Sequence, residues 1–451
     1  MTDTTRSAAV VGAGIAGTTA ALGLRDAGFD VTLYSDRDRA SLRDDVPPTG
    51  TAVLFGKSKD YDASIIEDLY SVGNTSGISA RLYAGDGDDR AQVLEFNPDF
   101  HYVTQAVDVR LRSDDRIGRF LERGGRFEVR AIDAAALDEI AGAHDLTLVA
   151  TGKGGLAQLF GVDESRTVYD RPQRHLLQIV LKGLDQGEDV FAYRNREGGK
   201  HDLYNLDADN GEAWLGPYLH KDEGLTWAFL GFAKPEGQWV DRFAAATDRE
   251  SARQIVLDLY RDYFPHDLPE VEKLEIVESD EKSWAKGAVT PVVRNSTATT
   301  ASGHVVAAIG DTAIAVDPVA GQGAQNALVQ VSELVRAAAA HEGPFTADWL
   351  SEQFEKFWEL RGHAAVEVTR LFLGHPDYAE HLELAFPAAA VNTDIASALF
   401  GLLSDPNPLL TLKTRDDILG FISAVAGEPA EDVLAKFTPA GDFTRAEPVP
   451  A

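Results

Sequence analysis

Two glycine signals constrain this chain more than any other feature. Near the amino terminus the apolar stretch Ala8-Ala9-Val10-Val11 runs into Gly12-Ala13-Gly14-Ile15-Ala16-Gly17 and then into Thr18-Thr19-Ala20-Ala21-Leu22-Gly23-Leu24. This is the strand, tight turn and helix that a dinucleotide pyrophosphate requires. Glycine at 12, 14 and 17 lets the backbone turn, approach the phosphates and pack helix on strand, while the helix start supplies N–H donors and a positive dipole end. The second signal lies far downstream. Val305-Val306-Ala307-Ala308-Ile309 reads as a buried strand ended by Gly310-Asp311, and Asp317-Pro318-Val319-Ala320-Gly321-Gln322-Gly323 leads into a helical run from Ala324 to about Ala340.

The chain's 451 residues exceed one ordinary core, so two intertwined domains are expected. Apolar residues make up 44%, yet they never form the run of about eighteen that a membrane span needs. Acidic residues outnumber basic ones 72 to 42, for a net charge of −30, which repels nucleic acid and anionic lipid and reads as a solvated surface. Without cysteine there is no disulfide, thiolate nucleophile or iron–sulfur cluster. The 11 histidines show no metal-binding spacing. Met1 to Arg6 run straight into the first strand, leaving no room for a secretory signal, so the cytoplasm is the expected compartment.

The pattern along the chain is interleaved. Val31-Thr32-Leu33-Tyr34 is a second strand, ending at Ser35-Asp36, where a carboxylate meets an adenosine ribose in nucleotide-binding folds. Residues 107–121 read as a helix, 127–130 as a strand, and Leu146-Thr147-Leu148-Val149-Ala150 as a buried strand ending at Thr151-Gly152-Lys153. Strands are then expected at 175–181, 190–193, 202–205, 212–215 and 225–232, forming a sheet that can roof a pocket. Beyond residue 346 the chain reads as helical, with Trp349, Phe354, Phe357 and Trp358 at core-packing spacing. The expected fold is α/β: a Rossmann-type dinucleotide domain from residues 1–170 and 285–345, a β-sheet substrate domain from 171–284, and a helical region from 346–451.

The paired glycine signals resemble the class A flavoprotein fold. Tyr34-Ser35-Asp36-Arg37, Ala106-Val107-Asp108-Val109-Arg110-Leu111, Ala150-Thr151-Gly152-Lys153, Arg171-Pro172-Gln173-Arg174, Gly287-Ala288-Val289-Thr290-Pro291 with Arg294, and Asp317 to Ala324 are similar to the two-component styrene and indole monooxygenases. The resemblance spans residue 12 to about 330. It implies FAD, working in its reduced form, held by Gly12, Gly14, Ile15, Ala16, Gly17, Ser35, Asp36, Arg43, Gln105, Thr151, Gly152, Asp311, Pro318, Gly321, Gln322 and Gly323. Asp311 would accept from a ribityl hydroxyl. The helix after Gly323 would face the N1/C2 edge, where negative charge collects on reduction, and so favour the anionic reduced flavin. The implied chemistry is transfer of one oxygen from a C4a-peroxyflavin, formed with O2, to a small hydrophobic aromatic alkene or heteroaromatic, as in styrene or indole epoxidation. Such enzymes receive reduced FAD from a transient partner, an NADH-dependent flavin reductase. The sequence leaves room for a homodimer.

One feature of the residues points the same way. Single-component aromatic hydroxylases carry an Asp-Gly signature after the mid-chain strand, where this chain has Ala150-Thr151-Gly152-Lys153, and no second GxGxxG is present to hold a nicotinamide. Residues 48–55 depart from the resemblance. Styrene enzymes have an Arg-Leu-Leu-Asn signature there, whereas here Arg43 comes earlier and Thr51, Val53 and Phe55 stand as an apolar pocket wall or as ordinary strand packing. Two other readings stay open: a self-sufficient NAD(P)H-dependent aromatic hydroxylase, and an FAD-binding protein that transfers no oxygen.

Overall fold

The computed structural model describes residues 5–50, 53–85, 90–187, 189–194 and 201–438. Its first sheet has six strands in the order Thr297–Thr299, Val305–Ala308, Leu146–Val149, Ser7–Val11, Asp30–Ser35, Arg126–Val129. All neighbours are parallel except the first two. Strand alternation divides its side chains between two cores. Ala8, Val10, Leu33 and Leu148 face the helices Ile15–Asp26 and Gln322–Ala340, while Ala9, Val11, Val149 and Val306 face the helix Ala134–Ala143. Burial on both faces explains why these strands read as continuous apolar runs. The expected helices and strands of this half are present, with bounds shifted by one or two residues. The helix expected at 107–121 runs Val109–Glu122, and the one expected from Ala324 begins at Gln322.

The second sheet has eight strands. Seven follow the order Glu275–Ile276, His175–Lys182, Gly224–Ala233, Gly211–His220, His201–Asp207, Gly77–Ala84, Ala91–Phe96, and Trp284–Ala288 pairs with His175–Lys182. It does not follow the division expected at 170, because Gly77–Ala84 and Ala91–Phe96 belong to it and Gly77–Ala84 pairs in parallel with His201–Asp207. Leu177, Ile179, Leu215 and Phe229 pack against the helix Arg249–Tyr263. Val180, Tyr204, Trp214 and Phe232 face the other way, toward Phe55, Val319 and the carboxy-terminal helices.

The strand expected at Val190–Tyr193 is instead a turn, in which Arg194 N–H donates to Phe191 O at 2.8 Å and buried Phe191 takes the left-handed region at φ 52°. A tertiary ion pair overrides the strand pattern. Fully buried Arg194 reaches Asp267 at 2.6 Å and Asn205 at 2.9 Å, pulling the segment off the extended path. After residue 346 the chain is helical, and Phe354 and Phe357 are core residues as their spacing predicts. Among the described residues no helix is long and apolar enough to cross a membrane.

Candidate active site

The candidate site lies at the carboxyl ends of the central strands, and its first part is the turn between Ser7–Val11 and Ile15–Asp26. Gly12 sits at φ +111°, and a Cβ there would meet Ala150 O at 2.4 Å; a Cβ on Gly17 would stand 1.8 Å from Gly12 O. Gly14 has nothing within 4 Å of its Cβ position, so this corner of the turn faces open space. No side chain caps the helix, and Thr18 and Thr19 donate their hydroxyls back to Gly14 O at 2.9 Å and Ile15 O at 2.7 Å. The first-turn N–H groups of Ile15, Ala16 and Gly17 are thereby left for an anion. At the end of the next strand Ser35 is buried and its Oγ accepts from Arg37 N–H at 3.2 Å, while Asp36 is exposed beside it.

The second glycine signal closes on the first. Gly310 is left-handed at φ +59°, and a Cβ there would stand 2.7 Å from Ala16 Cβ. Gln330, from the long helix, locks this strand end by accepting from Gly310 N–H at 2.8 Å and donating to Ala308 O at 3.2 Å. Asp311 projects between them. Desolvation by the surrounding protein raises its pKa, with Lys153 and Arg294 pulling the other way, yet 42% of the side chain stays accessible. Thr312 donates to Gly152 O at 3.2 Å, which fastens the Thr151–Gly152 turn to this edge, and Thr151 Oγ1 is buried without a partner.

The loop Pro318–Ala320 then delivers the start of the long helix. Gly321 is left-handed at φ +63°, a Cβ on it would meet the Phe55 ring at 3.1 Å, and no side chain caps the helix. A Cβ on Gly323 would stand 3.4 Å from Asp311 Oδ1, so the helix start and the carboxylate share one wall. Asp317, fully buried, accepts from Val319 N–H at 3.1 Å through Oδ1, while its Oδ2 is unpartnered and burial pushes its pKa up to about 7. The structure thus brings together Gly12 to Gly17, Thr151, Gly152, Asp311, Pro318 and Gly321 to Gly323. Their donors, spaces and uncapped helix starts fit FAD.

Two expected cofactor residues have their polar atoms engaged by protein. Gln105 donates to Asp68 Oδ1 at 2.8 Å and Tyr70 O at 3.0 Å, and accepts from Arg112 at 2.9 Å. Arg43 is tied to Asp222 at 2.7 Å, Lys221 O at 3.0 Å and Asp44 at 3.1 Å. Thr51 lies outside the described residues. Val53 and Phe55 are fastened to the loop ending at Gly321 by Gln325, which donates to Val53 O and Gly321 O and accepts from Phe55 N–H at 3.2 Å. Gln325 was not singled out from sequence, although its place one turn beyond Gly321 was a readable signal. The aromatic residues Phe96, Trp214 and Phe232, which share a buried cluster with Phe55 and Val319, carried none, because they come from strands far apart in sequence.

Two uncapped helix starts and a carboxylate beneath a second sheet define a Rossmann-type FAD-dependent flavoprotein. Residues 10–44 match the family described as "NAD(P)-binding Rossmann-like domain", and residues 152–269 match "Styrene monooxygenase A putative substrate binding domain". Styrene monooxygenase StyA from a Pseudomonas sp. is 27% identical over 328 residues, covering 70% of this chain and 74% of that protein. Among solved structures, a flavoprotein/dehydrogenase from Cytophaga hutchinsonii has a TM-score of 0.59 at 13% identity, covering 94% of this chain and 99% of that one. The flavin-dependent brominase Bmp2 has a TM-score of 0.57 at 13% identity, covering 89% and 94%. These likenesses support a styrene monooxygenase-like family, with the fold of FAD-dependent flavoproteins.

Proposed function

We propose that this protein is the oxygenase component of a two-component system, taking reduced FAD from a separate NADH-dependent reductase and placing one oxygen atom from O2 on a small hydrophobic aromatic alkene or heteroaromatic. The observation that carries this reading is the buried aromatic cluster packed directly on the loop Pro318–Ala320. The Phe55 ring lies against Gly321, and Phe55, Val319 and Ala320 share one buried cluster with Phe96, Trp214 and Phe232. Such packing keeps water from this side of the loop and offers an apolar surface to a substrate bound beside it. When bound, reduced FAD supplies the activation of O2; the chain's residues bind, orient and shield. The two uncapped helix starts would hold the pyrophosphate and the reduced ring's negative edge, and Asp311 would accept from the ribityl chain. The residues Ala150 to Lys153, in place of an Asp-Gly signature, favour an external source of reductant.

The test is turnover of the pure protein. NADH or NADPH alone is expected to give none, and an added flavin reductase or chemically reduced FAD is expected to oxygenate styrene or indole with one atom of 18O from 18O2. Turnover of a phenol with NAD(P)H and no reductase would establish the self-sufficient hydroxylase instead. Binding of reduced FAD without oxygen transfer to any such substrate would leave a non-oxygenating FAD-binding protein. Asp311→Ala should weaken FAD binding about three- to tenfold, the range for a net hydrogen bond. Equal affinities in a titration of both proteins would remove Asp311 from the site.

A further inference from the structure

The helices Ala347–Phe357 and His363–Phe372 are joined by a π-turn, Trp358–Gly362, and the residue it turns inward is Arg361. Wide turns of this kind recur at functional sites because they re-aim one side chain. Arg361 is 4% exposed. It donates from Nη2 to Gln322 Oε1 at 2.6 Å and from Nη1 to Ser404 O at 2.9 Å, while Nε has no partner.

Gln322 is the first residue of the long helix and is fully buried. Its Nε2 donates to Ala320 O at 2.8 Å and Leu403 O at 3.1 Å, so the residue ties Arg361 to the flavin loop. Among the described residues no carboxylate hydrogen-bonds the guanidinium. The acidic group that acts on it, Asp405, is ion-paired with Lys57, and burial pulls the Arg361 pKa down to about 10, which leaves it cationic at neutral pH. Holding a cation in such a place is costly. The two carbonyl-type oxygens it serves could be satisfied by a neutral donor, so hydrogen bonding alone does not account for the charge.

We infer that Arg361 is a positioning residue that holds Gln322 at the start of the long helix and adds its positive charge to the helix dipole there, biasing the site toward reduced, anionic FAD over oxidised FAD. The inference rests on the reading that the flavin's N1/C2 edge meets this helix start. Its charge acts in the same direction as the dipole.

The experiment compares Arg361→Gln, which keeps a hydrogen bond without charge, with Arg361→Lys, which keeps the charge. Dissociation constants for oxidised FAD and, anaerobically, for reduced FAD are measured for each, with thermal unfolding to confirm that both are folded. Arg361→Gln is expected to lower the preference for the reduced form about tenfold, a fall of ~30 mV in the midpoint potential of bound FAD for two electrons. Arg361→Lys should restore most of it. Equal weakening of both redox forms, or no change in either, would overturn the proposal, as would a lysine variant that behaves like glutamine. The flavin placement itself fails separately, if Asp311→Ala and the Arg361 variants all leave both affinities untouched.

Discussion

Gly17→Ala is expected to weaken FAD binding about a hundredfold, whereas Gly14→Ala should leave the fold intact. The two glycines lie three residues apart in one turn, but their surroundings are opposite. A Cβ on Gly17 would sit 1.8 Å from the Gly12 carbonyl oxygen, and backbone cannot rotate aside as a side chain can. Overpacking typically costs about 1–3 kcal/mol, and relief here must open the strand–helix contact that aims the first-turn N–H groups. A loss of FAD affinity of about a hundredfold follows from the upper end of that range. Gly14 has an ordinary φ of −78° and open space at its Cβ position. Its methyl would protrude only into the volume proposed for the pyrophosphate. Melting curves and FAD titrations of both variants check this, and wild-type affinity in Gly17→Ala would refute it.

Asp202→Asn should stabilise the apoprotein at pH 8 and leave it unchanged near pH 4. Asp202 is 4% exposed, accepts from Thr75 at 3.1 Å, and has its pKa pushed from the ordinary 3.8 up to about 7 by burial. Because its native pKa is raised above the unfolded value, the native state holds the extra proton between the two values. Stability from this group is therefore complete below about pH 4, falls as the pH rises toward 7, and is level above that. The difference amounts to about 4 kcal/mol. Asparagine copies the protonated acid. Thr75 can accept from the new amide and donate to Thr104, whose oxygen lies 2.6 Å from its own. Asp317, also raised to about 7, gives both proteins the same slope and cancels in the comparison. Denaturant unfolding at pH 4, 6 and 8 decides it, and parallel pH profiles for the two proteins would rule the assignment out.

What was legible in the sequence is what backbone geometry dictates locally. Gly12, Gly17, Gly310 and Gly321 each occupy a place where a side chain collides with backbone or a neighbouring side chain, or where φ is positive, so their spacing announced the candidate site before any contact was known. The same logic located the strands on either side, because burial on both faces writes an unbroken apolar run. The reading failed where distant partners decide. Val190–Tyr193 has strand-forming residues, yet Arg194 is drawn to Asp267, and nothing near residue 194 signals a carboxylate at 267. Gln105 stood in a promising place before a helix, but Asp68, Tyr70 and Arg112 engage its amide. Arg361 lies in a helical pattern whose local widening no periodicity reveals. The membership of Gly77–Ala84 in the second sheet was equally hidden, since its partner strand begins at His201.

That last pairing has a consequence for how the molecule must be made. A ribosome releases Gly77–Ala84 well before its neighbour His201–Asp207, and Leu146–Val149 well before Val305–Ala308. Each sheet therefore waits with an unpaired edge, the kind of surface that recruits foreign strands. No cut in the chain separates the sheets, because the segment that completes the second lies between the segments that build the first. Neither half should fold when expressed alone, and the nascent chain stays unfinished until residue 308 has left the exit tunnel.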